Sequence, residues 1–251
     1  APGPVPPRPA AAVDWSAVRD PAAVEAVLRG YVPGIVAAWL QEGLQDWLAV
    51  LRAMSVVFIG VSGLDYAQPQ AVDQLHAFMR AAQAIAVRRY EGTLNKLAVD
   101  DKGTVLIGLF GAPPFAHEDD PERALRCALE LQARAAGLGL QLAIGVTFGH
   151  VFAGPVGSAT RREYTAMGDT VNLAARLMAL AGPGNLLCDF DTYRSARHRL
   201  SFDLLPPIHV KGKAGLVRLY RPLGELSRDA PAEAGRVLVG RRAELAQLEA
   251  D

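Results

Sequence analysis

An excess of charge of either sign is missing from this 251-residue chain: 26 Lys and Arg stand against 26 Asp and Glu. A nucleic-acid-binding domain carries a basic footprint, so nucleic acid is not expected as a partner. Cysteine occurs only twice, at Cys127 and Cys188, which leaves no disulfide framework and no cysteine-rich zinc site. Cys127 falls on an apolar helical stripe with Ala124, Ala128 and Leu131 and reads as a small core residue. No apolar run reaches the length of a membrane span, and the start has neither a charged nor a hydrophobic signal region. A soluble, cytoplasmic protein without a membrane span is the expectation. The chain also lacks an initiator Met and a clear end, so it is expected to be a piece of a longer polypeptide.

What is present is apolar. Hydrophobic residues make up 51% of the chain, enough for one good-sized core with flanking segments. Residues 1–19 open with five prolines in nine positions and read as an extended linker. Residues 20–53 read as a helical connector, with Val24, Val27 and Leu28, then Ile35, Leu40, Leu44, Trp47 and Leu51, broken at Val32-Pro33-Gly34. The main domain spans 54–223. Met54 to Gly60 has the content of a buried strand. Ala71 to Tyr90 carries a helical stripe of Leu75, Phe78, Met79, Ala82, Ile85 and Ala86 that Gly92 ends. Thr93 to Val99 and Thr104 to Phe110 form a hairpin around Asp100-Asp101-Lys102-Gly103. Asp120-Pro121-Glu122 starts a helix, with Asp120 as capping acid, that runs to about Ala136. Gln141 to Phe148 and Val151 to Val156 read as strands around Gly149. Later come strands at Glu163–Met167, Asn185–Cys188, Phe202–Leu205 and Val217–Tyr220, and a short helix at Thr192–Ala196. The order is that of an α/β (α+β) ferredoxin-like βαββαβ core with C-terminal additions.

Polar residues interrupt the apolar pattern most clearly in Arg162-Glu163-Tyr164-Thr165-Ala166-Met167-Gly168-Asp169-Thr170-Val171-Asn172-Leu173-Ala174-Ala175-Arg176. Gly168 permits a sharp turn, Asp169 reads as an N-cap, and a helix starts near Thr170. Asn172 and Arg176 are four apart and share one helical face. By itself such a pair is more often a solvated helix surface than a site.

This stretch, with Phe148-Gly149-His150-Val151-Phe152-Ala153-Gly154 before it, resembles the class III adenylyl and guanylyl cyclase domain, whose signature is a G-x-x-V-N-x-A-A-R helix after a glycine-rich hairpin. The resemblance covers Ser55 to Leu223. It implies that Asn172 orients the ribose and that Arg176 stabilises charge developing on the α-phosphate, a task suited to a fixed fork of donors. Leu94-Asn95-Lys96 is similar to the second-half motif whose lysine contacts adenine, with Thr165 as its partner. Glutamate and cysteine are the guanine-selective pair at these two places. Val210-Lys211-Gly212-Lys213 is similar to the family's V-K-G-K, which gives Lys211 a triphosphate contact, with Lys213 as substitute.

The resemblance fails where the metals belong. Gly60 stands where the family's first metal aspartate is expected, Asp65 beyond it reads as a turn residue, and Asp100 has the spacing of the second but lies in ordinary turn chemistry. The resemblance therefore implies the second half of an adenylate cyclase of the soluble, bicarbonate-regulated type. ATP would be converted to 3′,5′-cyclic AMP and pyrophosphate in a dimer with a metal-bearing cyclase half. That partner would lie in the same polypeptide or on a homologous chain, and it would hold the two Mg²⁺ or Mn²⁺ ions. The alternative is a catalytically degenerate cyclase-fold module with a regulatory or interaction role. Residues 224–251 read as a linker, and Leu238-Val239-Gly240-Arg241-Arg242 resembles the start of an AAA or STAND ATPase module.

Overall fold

The apolar run at 54–60 is the middle of the central strand, β1 (Val50–Ser62). In a computed structural model that describes residues 19–32, 37, 49–100, 103–112, 114–157, 162–210 and 215–226, β1 is flanked by β3 and β4 in antiparallel pairing. The strand starts earlier than the sequence pattern suggests because Val50 to Ala53 pair with the far end of β4, and that pairing takes over the end of the expected connector. Of the rest of the connector, a helix α1 (Pro21–Arg29), capped by Asp20, is described. The expected linker, most of residues 33–48 and the expected ATPase segment lie outside the described residues.

From β1 the chain passes through α2 (Gln70–Ala82), which widens into a π-helix over Gln83–Arg89. Tyr90 N donates to Ile85 O and Gly92 N to Ala86 O. The left-handed residue at this helix end is Glu91, at φ 55°, and Gly92 is required for a different reason. A Cβ there would meet the Phe110 ring at 2.5 Å. The hairpin β2 (Thr93–Asp100) and β3 (Gly103–Phe110) follows, then α3 (Asp120–Ala136). Asp120 is not the cap of α3 but its first residue, and its buried carboxylate accepts from His117 N at 2.8 Å. β4 (Gln141–Gly157) is one continuous strand through Gly149, where two had been expected. Its length is used by β1 along one edge and, on the other, first by β6 and then by β5. After β5 (Arg162–Met167) come α4 (Asp169–Ala181), β6 (Leu186–Cys188), α5 (Phe190–Ala196), β7 (Leu200–His209) and β8 (Leu216–Glu225). The sheet order is β2-β3-β1-β4-β6-β8-β7, with β5 on β4, and its first four strands are the expected ferredoxin-like arrangement.

Strand alternation sorts β1 between two layers. Val57, Ile59 and Val61 join Phe78, Ala82, Leu125, Ala128 and Leu131 under α2 and α3. Cys127 is buried there as expected, and burial pushes its thiol pKa up. Met54, Val56 and Phe58 turn the other way, toward Val151, Tyr164 and Ala174. On that face α4 lies directly on β4, because Gly145 has no side chain. A Cβ at 145 would meet Ala174 O at 2.2 Å and Met178 N at 2.5 Å.

Two stability predictions follow from these contacts. Gly145→Ala must lift α4 from the sheet and is expected to destabilise the domain by about 1–3 kcal/mol, the range for overpacking. Calorimetric melting with an unchanged Tm would refute the contact. The second concerns Asp189, whose buried carboxylate caps α5 by accepting from Thr192 N at 3.0 Å and Thr192 Oγ1 at 2.6 Å. Burial pushes its pKa from 3.8 up to about 6, against the pull of these hydrogen bonds. Between those values the native chain holds a proton that the unfolded chain has lost, so native stability falls as pH rises through this window. Asp189→Asn keeps an acceptor and cannot ionise, so its Tm relative to the parent should climb from pH 4 to pH 7. A pH-independent difference between the two melting curves would contradict the shift.

Candidate active site

The two polar residues of the signature helix are held by its first turn. Gly168, at φ 137°, occupies a conformation closed to other residues and supplies the carbonyl that accepts from Asn172 N at 3.1 Å. The helix therefore begins at Asp169, with Gly168 rather than Asp169 at the cap position. Thr170 Oγ1 donates to His150 O at 3.0 Å, and Thr147 Oγ1 donates to Thr170 O at 2.9 Å, so the first turn is fastened to β4 from both directions. On this anchored helix Asn172 is exposed and Arg176 half-buried. Spaced four apart, they share a face as expected. Among the described residues, no side-chain hydrogen bond or ion pair engages either.

The direction of Lys96 is set by an irregularity that its sequence does not announce. The register of β2 on β3 steps from Leu94 opposite Gly108 to Lys96 opposite Ile107, leaving Asn95 as a bulge. Leu94 packs against the helical core, and in a regular strand Lys96, two residues on, would point into it. The extra residue reverses the alternation and sets Lys96 opposite Ile107, whose partner across β1 is Phe58, on the α4 side. Asn95 Nδ2 then donates to Tyr164 O at 2.8 Å, which ties β2 to β5. Lys96 Nζ lies 3.2 Å from Glu163 Oε1, and Thr165, two residues along β5, shares the face of Glu163. Sequence reasoning had marked Lys96 and Thr165 but not Glu163, because pairing between β2 and β5 is invisible to local patterns.

Position 60 lacks the means to hold a metal. A Cβ on Gly60 would sit 3.4 Å from the sulfur of Met178 and 3.7 Å from Ala143 O. A side chain there would thus stand in ordinary van der Waals contact with a thioether, a poor ligand for Mg²⁺ or Mn²⁺. Asp65 is a turn residue, accepting from Ala67 N at 3.0 Å. Asp100 ends β2 opposite Gly103, and its side chain, like Asp101, lies outside the described residues. Among the described residues no three His, Cys, Asp or Glu side chains converge. Among the described residues, position 60 and its surroundings supply no carboxylate pair for metals.

Two clefts, of about 640 and 510 Å³, open on the surface. The larger lies between the end of α1 and the start of β2. The smaller is bounded by Gly149, Thr170, Phe190 and Arg218, beside the β7–β8 connection. Lys96, Thr165, Asn172 and Arg176 line neither. Among the described residues no hydrogen bond or ion pair joins Lys96 or Thr165 to Asn172 or Arg176. Leu51, Phe152 and Met167 form a row of exposed apolar side chains in register across β1, β4 and β5. Lys211 and Lys213 lie outside the described residues, between His209 at the end of β7 and Leu216 at the start of β8. No helix among the described residues is long and apolar enough to cross a membrane.

The description "Adenylate and Guanylate cyclase catalytic domain" matches residues 58–221. Human adenylate cyclase type 10 is 32% identical over 190 residues, which are 74% of this chain and 12% of that protein. Its mouse counterpart is 30% identical over 208 residues, 80% of this chain and 13% of its own length. The chain thus spans about an eighth of the curated relatives it matches. Among solved structures, the adenylyl cyclase CyaB from P. aeruginosa superposes with a TM-score of 0.65 at 23% identity, covering 72% of this chain and 98% of that one. The guanylyl cyclase Cya2 gives 0.62 at 23%, covering 72% and 97%. At such identities the likeness speaks for the fold.

Proposed function

The chain belongs to the adenylate and guanylate cyclase catalytic domain family, and from this premise we propose that it is the second half of an adenylate cyclase, forming 3′,5′-cyclic AMP and pyrophosphate from ATP against a metal-bearing cyclase half. Position 60 carries the reading. The family's chemistry needs carboxylates that Gly60 and Met178 cannot supply, while the residues for base, ribose and phosphate are all present in the sequence. The clefts support it as well, since a ligand site is normally concave and neither cleft is lined by Lys96, Thr165, Asn172 or Arg176. Mg²⁺ or Mn²⁺ would be held by that partner's carboxylates.

In this proposal Lys96 and Thr165 read the adenine edge, Asn172 holds the ribose, and Lys211 meets the terminal phosphates. The ribose 3′-oxygen loses its proton and forms a bond to the α-phosphorus as the bond to the pyrophosphate oxygen breaks. Charge building on the α-phosphate oxygens meets the Arg176 guanidinium, which is already in place on a helix fastened to the sheet. Lys96 and Thr165 favour ATP over GTP, and the naming of the mammalian relatives as adenylate cyclases supports the same choice. The degenerate-module reading takes its support from Gly60 too. A cytoplasmic location and a downstream ATPase module remain part of the proposal.

Complementation tests it. The purified chain alone, with Mg²⁺ or Mn²⁺, should make almost no cyclic AMP, and adding a metal-bearing half should restore synthesis. Robust turnover without a partner overturns the half-site reading, and failure of an active partner half to restore synthesis favours the degenerate module. In the restored enzyme, Arg176→Ala should lower kcat by about a hundredfold or more with little change in KM for ATP, as loss of an oxyanion-type donor does. Lys96→Glu with Thr165→Cys should weaken ATP use and improve GTP use in competition assays; an unchanged ATP preference removes these two residues from base reading.

A further inference from the structure

We propose that Glu163 is the positioning residue for the Lys96 ammonium and, through it, a determinant of adenine over guanine. The inference rests on the purine role proposed for Lys96. Lys96 Nζ and Glu163 Oε1 are 3.2 Å apart, with the two side chains 44% and 51% exposed. An exposed ion pair alone stabilises little, and its geometry decides nothing unless something else brings the two chains together. Here something does. The bulge at Asn95 turns Lys96 out of the helical core, and Asn95 Nδ2 donates to the carbonyl of Tyr164, the residue between Glu163 and Thr165. Tyr164 is itself buried against Met54, Val56 and Leu109. The backbone on both sides of the ion pair is therefore fixed, so the carboxylate can set the direction of a lysine that would otherwise sample many rotamers.

An ammonium has three donors. One is taken by Glu163, which leaves two to meet a ligand. An ammonium only donates hydrogen bonds. Adenine presents an acceptor at N1, whereas guanine carries N1–H there. A lysine held in one direction by Glu163 donates to the first and is repelled by the second, so discrimination comes from charge and not from shape.

The chain has four lysines, Lys96, Lys102, Lys211 and Lys213, which makes the pair directly readable. Acetylation by N-hydroxysuccinimidyl acetate is followed by mass spectrometry, with Lys102 as internal reference. In Glu163→Gln, Lys96 should react about threefold faster, the scale set by losing an exposed ion pair, while Lys102 keeps its rate. With the metal-bearing half present, ATP should protect Lys96 more than GTP does, and Glu163→Gln should erase that difference while Glu163→Asp retains it. In turnover, Glu163→Gln should cut the ATP-to-GTP ratio of kcat/KM by about tenfold, through KM and with kcat for ATP kept, as a specificity contact does. Unchanged Lys96 reactivity, or equal losses for both nucleotides, overturns the proposal. Protection and reactivity need no catalysis, so a chain that makes no cyclic AMP even with an active metal-bearing half sinks the cyclase reading while these two measurements still decide the role of Glu163.

Discussion

The contact on which the rest of the molecule depends is the crossing of α4 over Gly145. A helix axis normally stands off a sheet by the depth of a layer of side chains, but here the backbone at Ala174 and Met178 touches the strand itself. That approach brings Leu173 and Leu177 down onto Leu187 and Leu219 and fixes the height of the helix. The threonine bonds to β4 at its first turn then fix its rotation and its start. A rigid helix matters because the groups it carries are useful only where charge develops, and a guanidinium displaced by an ångström loses much of its effect. The small residues at 145, 174 and 175 are thus part of the site although none of them bears a functional group.

The same close approach explains the other half of the arrangement. With α4 so near the sheet, Met178 comes within van der Waals contact of position 60. In the proposed function, hydrogen-bond donors of this chain would orient the nucleotide while cations held by a partner half would neutralise its charge. Leu51, Phe152 and Met167, exposed and in register, form an apolar row that such a partner would have reason to bury.

Elsewhere among the described residues, seven Arg–carboxylate ion pairs are spread over the surface, most with at least one partner exposed. They add little stability individually. Stability rests on the helical core, where Phe78, Phe110, Leu125 and Leu131 are almost wholly buried. The pair between Lys96 and Glu163 differs from the rest because a bulge and a side-chain-to-backbone bond hold its two strands together, and because it lies among residues marked for chemistry.

Local pattern determined much of this protein. Apolar runs rich in branched and aromatic residues marked the strand at Met54–Gly60, turn residues marked the β2–β3 hairpin, and helical stripes marked α2 and α3. The four-residue spacing of Asn172 and Arg176 put them on one face. These are properties of nearest neighbours along the chain, so composition and periodicity record them. Other features belong to the tertiary structure alone. Nothing local says that β4 runs unbroken through Gly149, since that depends on β1, β6 and β5 all pairing along it. Nothing local says that Asn95 is a bulge, that Glu163 meets Lys96, or that Met178 lies over Gly60. Each is a matter of register between segments up to more than a hundred residues apart, and a shift of one residue turns a side chain to the opposite face. Which chemistry the chain can reach was legible in its residues; which of those residues meet was decided only by the sheet that holds them.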